Sequence, residues 1–182
     1  MALTTRRVAL AGGTLAAGLF PRKPRAARLP DLAAVLKPFD PPKPPPDFSF
    51  QAADGTTHHL DAFLGRGMVI NFWATWCAPC VAEMPSLEVL ARALAPHDIA
   101  VLPLSSDRGG AATVGAWFKD HEVTGLPVLL DPKGEAARAF EARGIPMTVI
   151  INRKGLVRAR LDGAADWSAD AAVNLIRGLV QV

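Results

Sequence analysis

Two cysteines in 182 residues, 16 prolines, no tyrosine and a composition that is 50% hydrophobic exclude a disulfide-scaffolded mini-protein, a four-cysteine zinc module and a disordered chain. The formal charge of +3 is unevenly spread, with eight basic and three acidic residues in 1–47 against twelve and fourteen in 48–182. The larger part of the chain has no excess of positive charge to neutralise phosphates, so no nucleic-acid partner is expected.

Near its start the chain carries Thr5-Arg6-Arg7 and then runs uncharged from Val8 to Phe20. A basic start followed by a short apolar stretch reads as an export signal, and the paired arginines point to the twin-arginine route. At 13 residues the run falls short of the roughly 20 that span a bilayer as a helix. Residues 1–28 are assigned to this signal, with the cleavage point open. The protein is accordingly expected in the periplasm or another extracytoplasmic space, tethered to the membrane where the signal stays uncleaved. No cysteine precedes Cys77, which excludes a lipid-modified N-terminal cysteine.

Residues 29–47 read as a linker, because 38–46 hold six prolines in nine positions. Such a segment lacks the N–H groups of a sheet ladder and favours extended polyproline II, about 3.1 Å per residue, so a semi-rigid spacer is expected. Residues 48–182 are an ordinary length for one domain with one core.

Within that domain, Phe48-Ser49-Phe50 alternates and Asp54-Gly55 supplies a turn before Thr57–Leu60, predicting a short hairpin. Met68 to Ala74 is a nearly continuous apolar run behind Gly67, the pattern of a strand buried on both faces. A helix is predicted from about Cys77 to Ala95, with Val81, Met84, Leu87, Leu90, Ala91 and Leu94 on one side. Ile99–Leu104 reads as a second buried strand, and Val114, Trp117 and Phe118 as a helix face. Val128–Leu130 leads into the Asp131-Pro132-Lys133-Gly134 turn, and Glu135–Arg143 reads as helix stopped by Gly144. Met147–Ile151 and Leu156–Leu161 flank the turn at Asn152–Gly155, and Ser168 is placed as cap of a last helix carrying Ala172, Leu175, Ile176, Leu179 and Val180 inward. Strands alternating with helices imply an α/β fold, a mixed central sheet flanked by helices.

The chemistry lies in Trp76-Cys77-Ala78-Pro79-Cys80, between a buried strand and a helix. Two cysteines three apart at a helix start lie close enough to bridge. The first sits where unsatisfied N–H groups and the helix dipole stabilise a thiolate, so Cys77 is the candidate nucleophile. Cys80, one turn inward, is the candidate resolving thiol. Pro79 suits the first turn, where its missing N–H has no partner anyway. Taken alone, the pair also admits a structural bridge, although so small a loop gains little chain entropy, or part of a metal site with His58, His59, Met84 or Met147. None of those four stands at a ligand spacing from the cysteines.

The segment Asn71-Phe-Trp-Ala-Thr-Trp-Cys-Ala-Pro-Cys-Val-Ala-Glu-Met-Pro85 resembles the active-site segment of thioredoxin-fold proteins, and among them the exported TlpA/ResA-like thiol-disulfide reductases. The likeness runs from about Phe48 to Val182 and takes in the hairpin, the Asp131 turn and Gly144-Ile145-Pro146-Met147-Thr148. It implies a thioredoxin fold with an N-terminal β-hairpin extension. Cytosolic thioredoxins carry an aspartate where this chain has Asn71. The exported branch instead has a glutamate three residues after the second cysteine, which falls on Glu83. Cys80 and Glu83, at i and i+3, share a helix face, so the carboxylate can accept the thiol's proton. The plainer reading of Glu83 is a solvated acid favoured by the helix dipole.

The resemblance further implies that Pro146 follows a cis peptide facing the cysteines, and that the backbone at Ile145 pairs with an extended substrate; Trp76 is read as bordering the reactive sulfur in the substrate-binding surface or, equally, as a partly exposed packing aromatic. Pro85 is read as structural, and Trp73, Trp117 and Trp167 as core. The implied activity is thiol-disulfide exchange in the reducing direction, with catalytic Cys77, Cys80 and Glu83 and no cofactor beyond the Cys77–Cys80 disulfide itself. Expected partners are client proteins with disulfides or dithiols, such as apocytochrome c or copper-site proteins, and a membrane electron donor that re-reduces the pair; the protein is expected to act as a monomer. Two alternatives stay open on the sequence. One is a disulfide oxidase or isomerase on the same scaffold, and the other a copper-binding carrier using Cys77, Cys80 and Met147.

Overall fold

The structure, a computed structural model, describes residues 28–181, so the export signal assigned to 1–28 lies outside the described residues but for Arg28. The strands in chain order are β1 (Lys37–Lys43), β2 (Ser49–Ala52), β3 (Thr57–His59), β4 (Gly67–Trp73), β5 (Ile99–Ser105), β6 (Leu129–Leu130), β7 (Met147–Ile151) and β8 (Val157–Asp162). The helices are α1 (Leu32–Val35), α2 (Ala78–Leu94), α3 (Gly110–Asp120), α4 (Glu135–Ala139) and α5 (Asp170–Gln181). Among the described residues the strands form one sheet in the order β1-β8-β7-β4-β5-β6-β2-β3. Its β4–β5 and β5–β6 pairings are parallel and the others antiparallel, so the sheet is mixed. The hairpin β2–β3, which the Phe48–Leu60 pattern predicts, lies at one edge of the sheet.

The continuous apolar run becomes β4, buried at all seven positions in the middle of the sheet. Successive side chains of a strand point to opposite faces, so β4 feeds two cores. Val69 and Trp73 pack with Leu87, Leu90 and Leu94 of α2 and with Ile176 and Val180 of α5. Met68, Ile70 and Phe72 pack with Phe48 and Phe50 of the hairpin region, Met147 and Phe140. The same alternation puts Asn71, a polar residue in an otherwise apolar strand, on the face covered by α2.

Residues 29–47 depart from the spacer reading, and the folded part starts earlier than residue 48. Asp31 caps α1, its carboxylate accepting the Ala33 N–H at 3.0 Å. Leu32 is fully buried in the core that α5 helps to form. The proline-rich run then becomes β1, pairing antiparallel with β8, with an irregular register between Pro38 and Lys43. The physical reason is position: an edge strand is paired on one side only, so prolines can take the slots where no ladder N–H is needed. Leu32→Ala should therefore lower the stability of the fold by about 2–5 kcal/mol. Urea denaturation reads this directly, and a residue in a mere spacer would show no loss.

Two helix ends also differ from expectation. The helix predicted to reach Arg143 ends at Ala139. Phe140 turns its ring onto Phe48 at 5.0 Å and Phe72 at 5.8 Å, Glu141 takes φ 56°, and the Arg160 guanidinium donates to the Phe140 and Glu141 carbonyls. A long-range cation thus replaces the continuing helical bonds. Ser168 does not cap α5, which starts at Asp170; its hydroxyl donates instead to Asp166 at 2.6 Å. No helix among the described residues is long and apolar enough to cross a membrane.

Candidate redox site

β4 delivers the chain to one end of the sheet, where Ala74–Trp76 turn it into α2. Cys77 is the cap residue of that helix, in extended conformation, and its Sγ accepts the Cys80 N–H at 3.3 Å. Pro79 occupies the first turn, where no N–H is required. Cys77 and Cys80 are joined as a disulfide with Cα atoms 5.2 Å apart. Cys77 is 6% exposed and Cys80 fully buried, so an incoming group meets Cys77 first. In the reduced form, the helix dipole and the Cys80 N–H both favour a thiolate at Cys77.

The turn itself is held from β5's end by Asp107. Its carboxylate accepts the Thr75 N–H at 2.9 Å, the Thr75 hydroxyl at 2.7 Å and the Ser105 hydroxyl at 2.7 Å, while Ser106 N–H bonds the Trp73 carbonyl at 3.0 Å. These bonds fix the residue two before Cys77, and sequence reading missed them because Asp107 lies 32 positions from Thr75. Opposite the disulfide, the Ile145–Pro146 peptide is cis, and the Ile145 carbonyl lies 3.6 Å from Cys77 Sγ. Trp76 stands beside the sulfur with 70% of its surface exposed. Cys77, Cys80, Trp76, Ile145 and Pro146 are thus brought together at one end of the sheet.

Glu83 does not take the solvated place of its plainer reading. It is fully buried on the inner face of α2. Its Oε1 accepts from Asn71 Nδ2 at 2.9 Å, and its Oε2 accepts from the Ala165 N–H at 3.0 Å and from Trp167 Nε1 at 2.9 Å. Asn71 Nδ2 also donates to Thr148 Oγ1 at 2.9 Å, across the β4–β7 pairing. Burial pushes the Glu83 carboxyl above the ordinary carboxylate range, against the pull of the Trp167, Ala165 and Asn71 hydrogen bonds. Among the described residues no cation pairs with it. Trp167, read as plain core, is therefore both core and donor. Nothing local in the chain marks Ala165 or Trp167 as partners of Glu83, or Thr148 as a partner of Asn71; Asn71 was visible as a polar residue inside an apolar run and as the place where the resemblance departs from cytosolic thioredoxins.

Pro85 lies inside α2 on its exposed side. Met84 and Met147 are fully buried, and His58 stacks on Phe50 at 5.5 Å in the hairpin. Among the described residues no three His, Cys, Asp or Glu side chains gather to hold a metal ion.

Comparison with known proteins agrees with this geometry. The chain is 32% identical over 114 residues to the thioredoxin-like protein YneN of Bacillus subtilis, covering 62% of this chain and 66% of that one. It is 31% identical over 123 residues to the thiol-disulfide oxidoreductase ResA of Oceanobacillus iheyensis, covering 65% and 63%. It thus spans just under two thirds of the length of either relative. The crystal structure of a putative thiol-disulfide oxidoreductase from Bacteroides vulgatus superimposes with a TM-score of 0.64 at 26% identity, over 76% of this chain and 96% of that one. The fold is the thioredoxin fold, with the expected hairpin before it. The AhpC/TSA family pattern matches residues 42–160, well over half of the sequence, and the chain belongs to that family.

Proposed function

We propose that the protein is a thiol-disulfide oxidoreductase that reduces disulfides of exported proteins through the Cys77/Cys80 pair. The observation that carries this reading is the asymmetry of the disulfide. Cys77 caps a helix facing the Ile145 carbonyl and keeps a small exposed edge, and Cys80 lies behind it, fully buried.

In the reduced protein the Cys77 thiolate attacks one sulfur of the client disulfide, forming a mixed disulfide and expelling the other client sulfur as a thiolate. Cys80 gives its proton to Glu83 and attacks Cys77 Sγ, which breaks the mixed disulfide and releases the second client thiolate. Two electrons pass to the client, and the protein is left with its Cys77–Cys80 disulfide. A dithiol donor at the membrane must return those electrons before the next turnover. Trp76 offers an exposed apolar rim to the client, and the Ile145 backbone beside Pro146 an edge for an extended segment. The arginine pair before Val8–Phe20 supports action outside the cytoplasmic membrane, and the names of the relatives support the reaction class. Clients whose cysteines must be free before a metal centre is attached, such as apocytochrome c or a copper-site protein, fit the reducing direction. The protein acts as a monomer in this reading.

Cys80→Ser tests the assignment. With the attacking thiol intact and the resolving one removed, client proteins should accumulate on Cys77 as mixed disulfides that mass spectrometry identifies. Cys77→Ser should trap none. If Cys77→Ser traps the same clients, the roles are reversed; if neither traps any, exchange with protein disulfides is not the function.

A further inference from the structure

Glu83's three donors are not equivalent. The Ala165 N–H is fixed by the backbone, and Trp167 Nε1 carries a hydrogen and has no acceptor form. Both point at Oε2. Asn71, on Oε1, is an amide with a donor at one end and an acceptor at the other. Its Nδ2 is fully used, on Glu83 and Thr148, while its Oδ1 is buried without any hydrogen-bond partner. An orphaned buried carbonyl costs about 1–3 kcal/mol. The arrangement therefore suits an ionised Glu83 but leaves one polar atom of Asn71 unused.

When Glu83 takes up a proton, that proton has no acceptor on the Oε2 side, where two immovable donors face it. It belongs on Oε1, opposite Asn71. Rotation of the Asn71 amide about its terminal bond exchanges Nδ2 and Oδ1. The formerly unused carbonyl then accepts from the protonated Glu83, and the Thr148 hydroxyl, which can donate as well as accept, gives its own hydrogen to the same oxygen, while the NH2 group takes the unpartnered place that Oδ1 held. We propose that Asn71 is a positioning residue whose amide turns over with the protonation of Glu83, holding the carboxylate as donor in one state and the carboxylic acid as acceptor in the other. The residue that replaces the thioredoxin aspartate thus adds no second titrating acid to the site. It lets a buried proton acceptor change state without losing its partner.

The groups around Glu83 leave this switch to Asn71. From α2 the titratable neighbour is Cys80, one turn earlier. From β4 and β7 the packed groups are Asn71 and Thr148, both uncharged. From the segment after β8 come the Ala165 N–H and the Trp167 indole, and the Asp166 carboxylate between them is taken up by Ser168.

The inference rests on Glu83 being the proton acceptor for Cys80, but its test reads the amide and not turnover. In protein labelled with 13C and 15N at asparagine and glutamate, the Asn71 Cγ signal should move through the pH titration of Glu83 Cδ with the same midpoint, in the reduced and the oxidised form. In Glu83→Gln, the Gln oxygen must face Ala165 and Trp167, so its NH2 faces Asn71. The Asn71 signal should then stay at its low-pH position at every pH. An Asn71 signal that stays still while Glu83 titrates, or that sits at its high-pH position in Glu83→Gln, overturns the proposal. A still amide with successful trapping on Cys80→Ser would remove this inference alone, and a moving amide with no trapping would remove only the redox assignment.

Discussion

Trp167→Ala should cost about 3–5 kcal/mol of folding stability, the range for deleting a fully buried large aromatic. The indole lies in the core formed with Trp73, Leu87 and Ile176, so its loss opens a cavity beneath α2. It also removes one of the three hydrogen bonds that hold the Glu83 carboxyl down, so that carboxyl should titrate higher still than it already does. Trp167→Phe separates the two effects. A phenyl ring keeps most of the packing but cannot donate, so the remaining cost is that of one hydrogen bond to a buried carboxylate, about 1.5–3 kcal/mol. Chemical denaturation at constant m-value gives both numbers. A loss under about 1 kcal/mol for Trp167→Ala would show that the site closes over the missing ring and that the indole is not what holds the post-β8 segment on α2.

Glu83→Gln should make the protein more stable in alkali and slower in turnover. Unfolded, Glu83 ionises near the ordinary 4.5, but in the folded state burial holds its proton to higher pH. As pH rises past 4.5 the unfolded chain releases this proton first. Folding stability then falls, by up to about 1.4 kcal/mol per pH unit, until the folded-state value is passed and the loss is complete. Below 4.5 both states hold the proton and the penalty is absent. Glutamine has no proton to lose, so the variant lacks this slope, and its advantage over the parent is greatest above the folded-state value. In the proposed reaction the same change removes the group that takes the Cys80 proton. Release of client from the mixed disulfide should slow by about 10²-fold or more at pH values where Cys80 is otherwise a thiol. Denaturation across pH and stopped-flow decay of the mixed disulfide measure the two halves. A variant that loses stability at every pH and resolves the mixed disulfide at the parent rate would make Glu83 a structural residue only.

Much of the fold was legible because its signals are short-range. The run Met68–Ala74 could only be satisfied by a strand covered on both faces, and it became the centre of the sheet. Cys77-Ala78-Pro79-Cys80 carries its own geometry: a cap, a first-turn proline and a second thiol one turn on place both sulfurs at a helix start whatever surrounds them. The proline run was misread for the opposite reason. Proline content reports which N–H groups are missing, but whether that matters depends on whether the segment meets a sheet edge, and β8 lies more than a hundred residues downstream.

The sequence by itself determined the cysteine pair, its place at a helix start and the central strand beneath it, since each follows from neighbours within one or two turns of chain. Only the tertiary structure decided the state of Glu83. Spacing allowed it to be solvated or buried. What buries it are donors 12, 82 and 84 positions away, on β4 and after β8, and the free energy of a carboxylate depends on which donors and how much water surround it. No local pattern encodes that environment. It exists once α2, β4 and the segment leading into α5 close on one another.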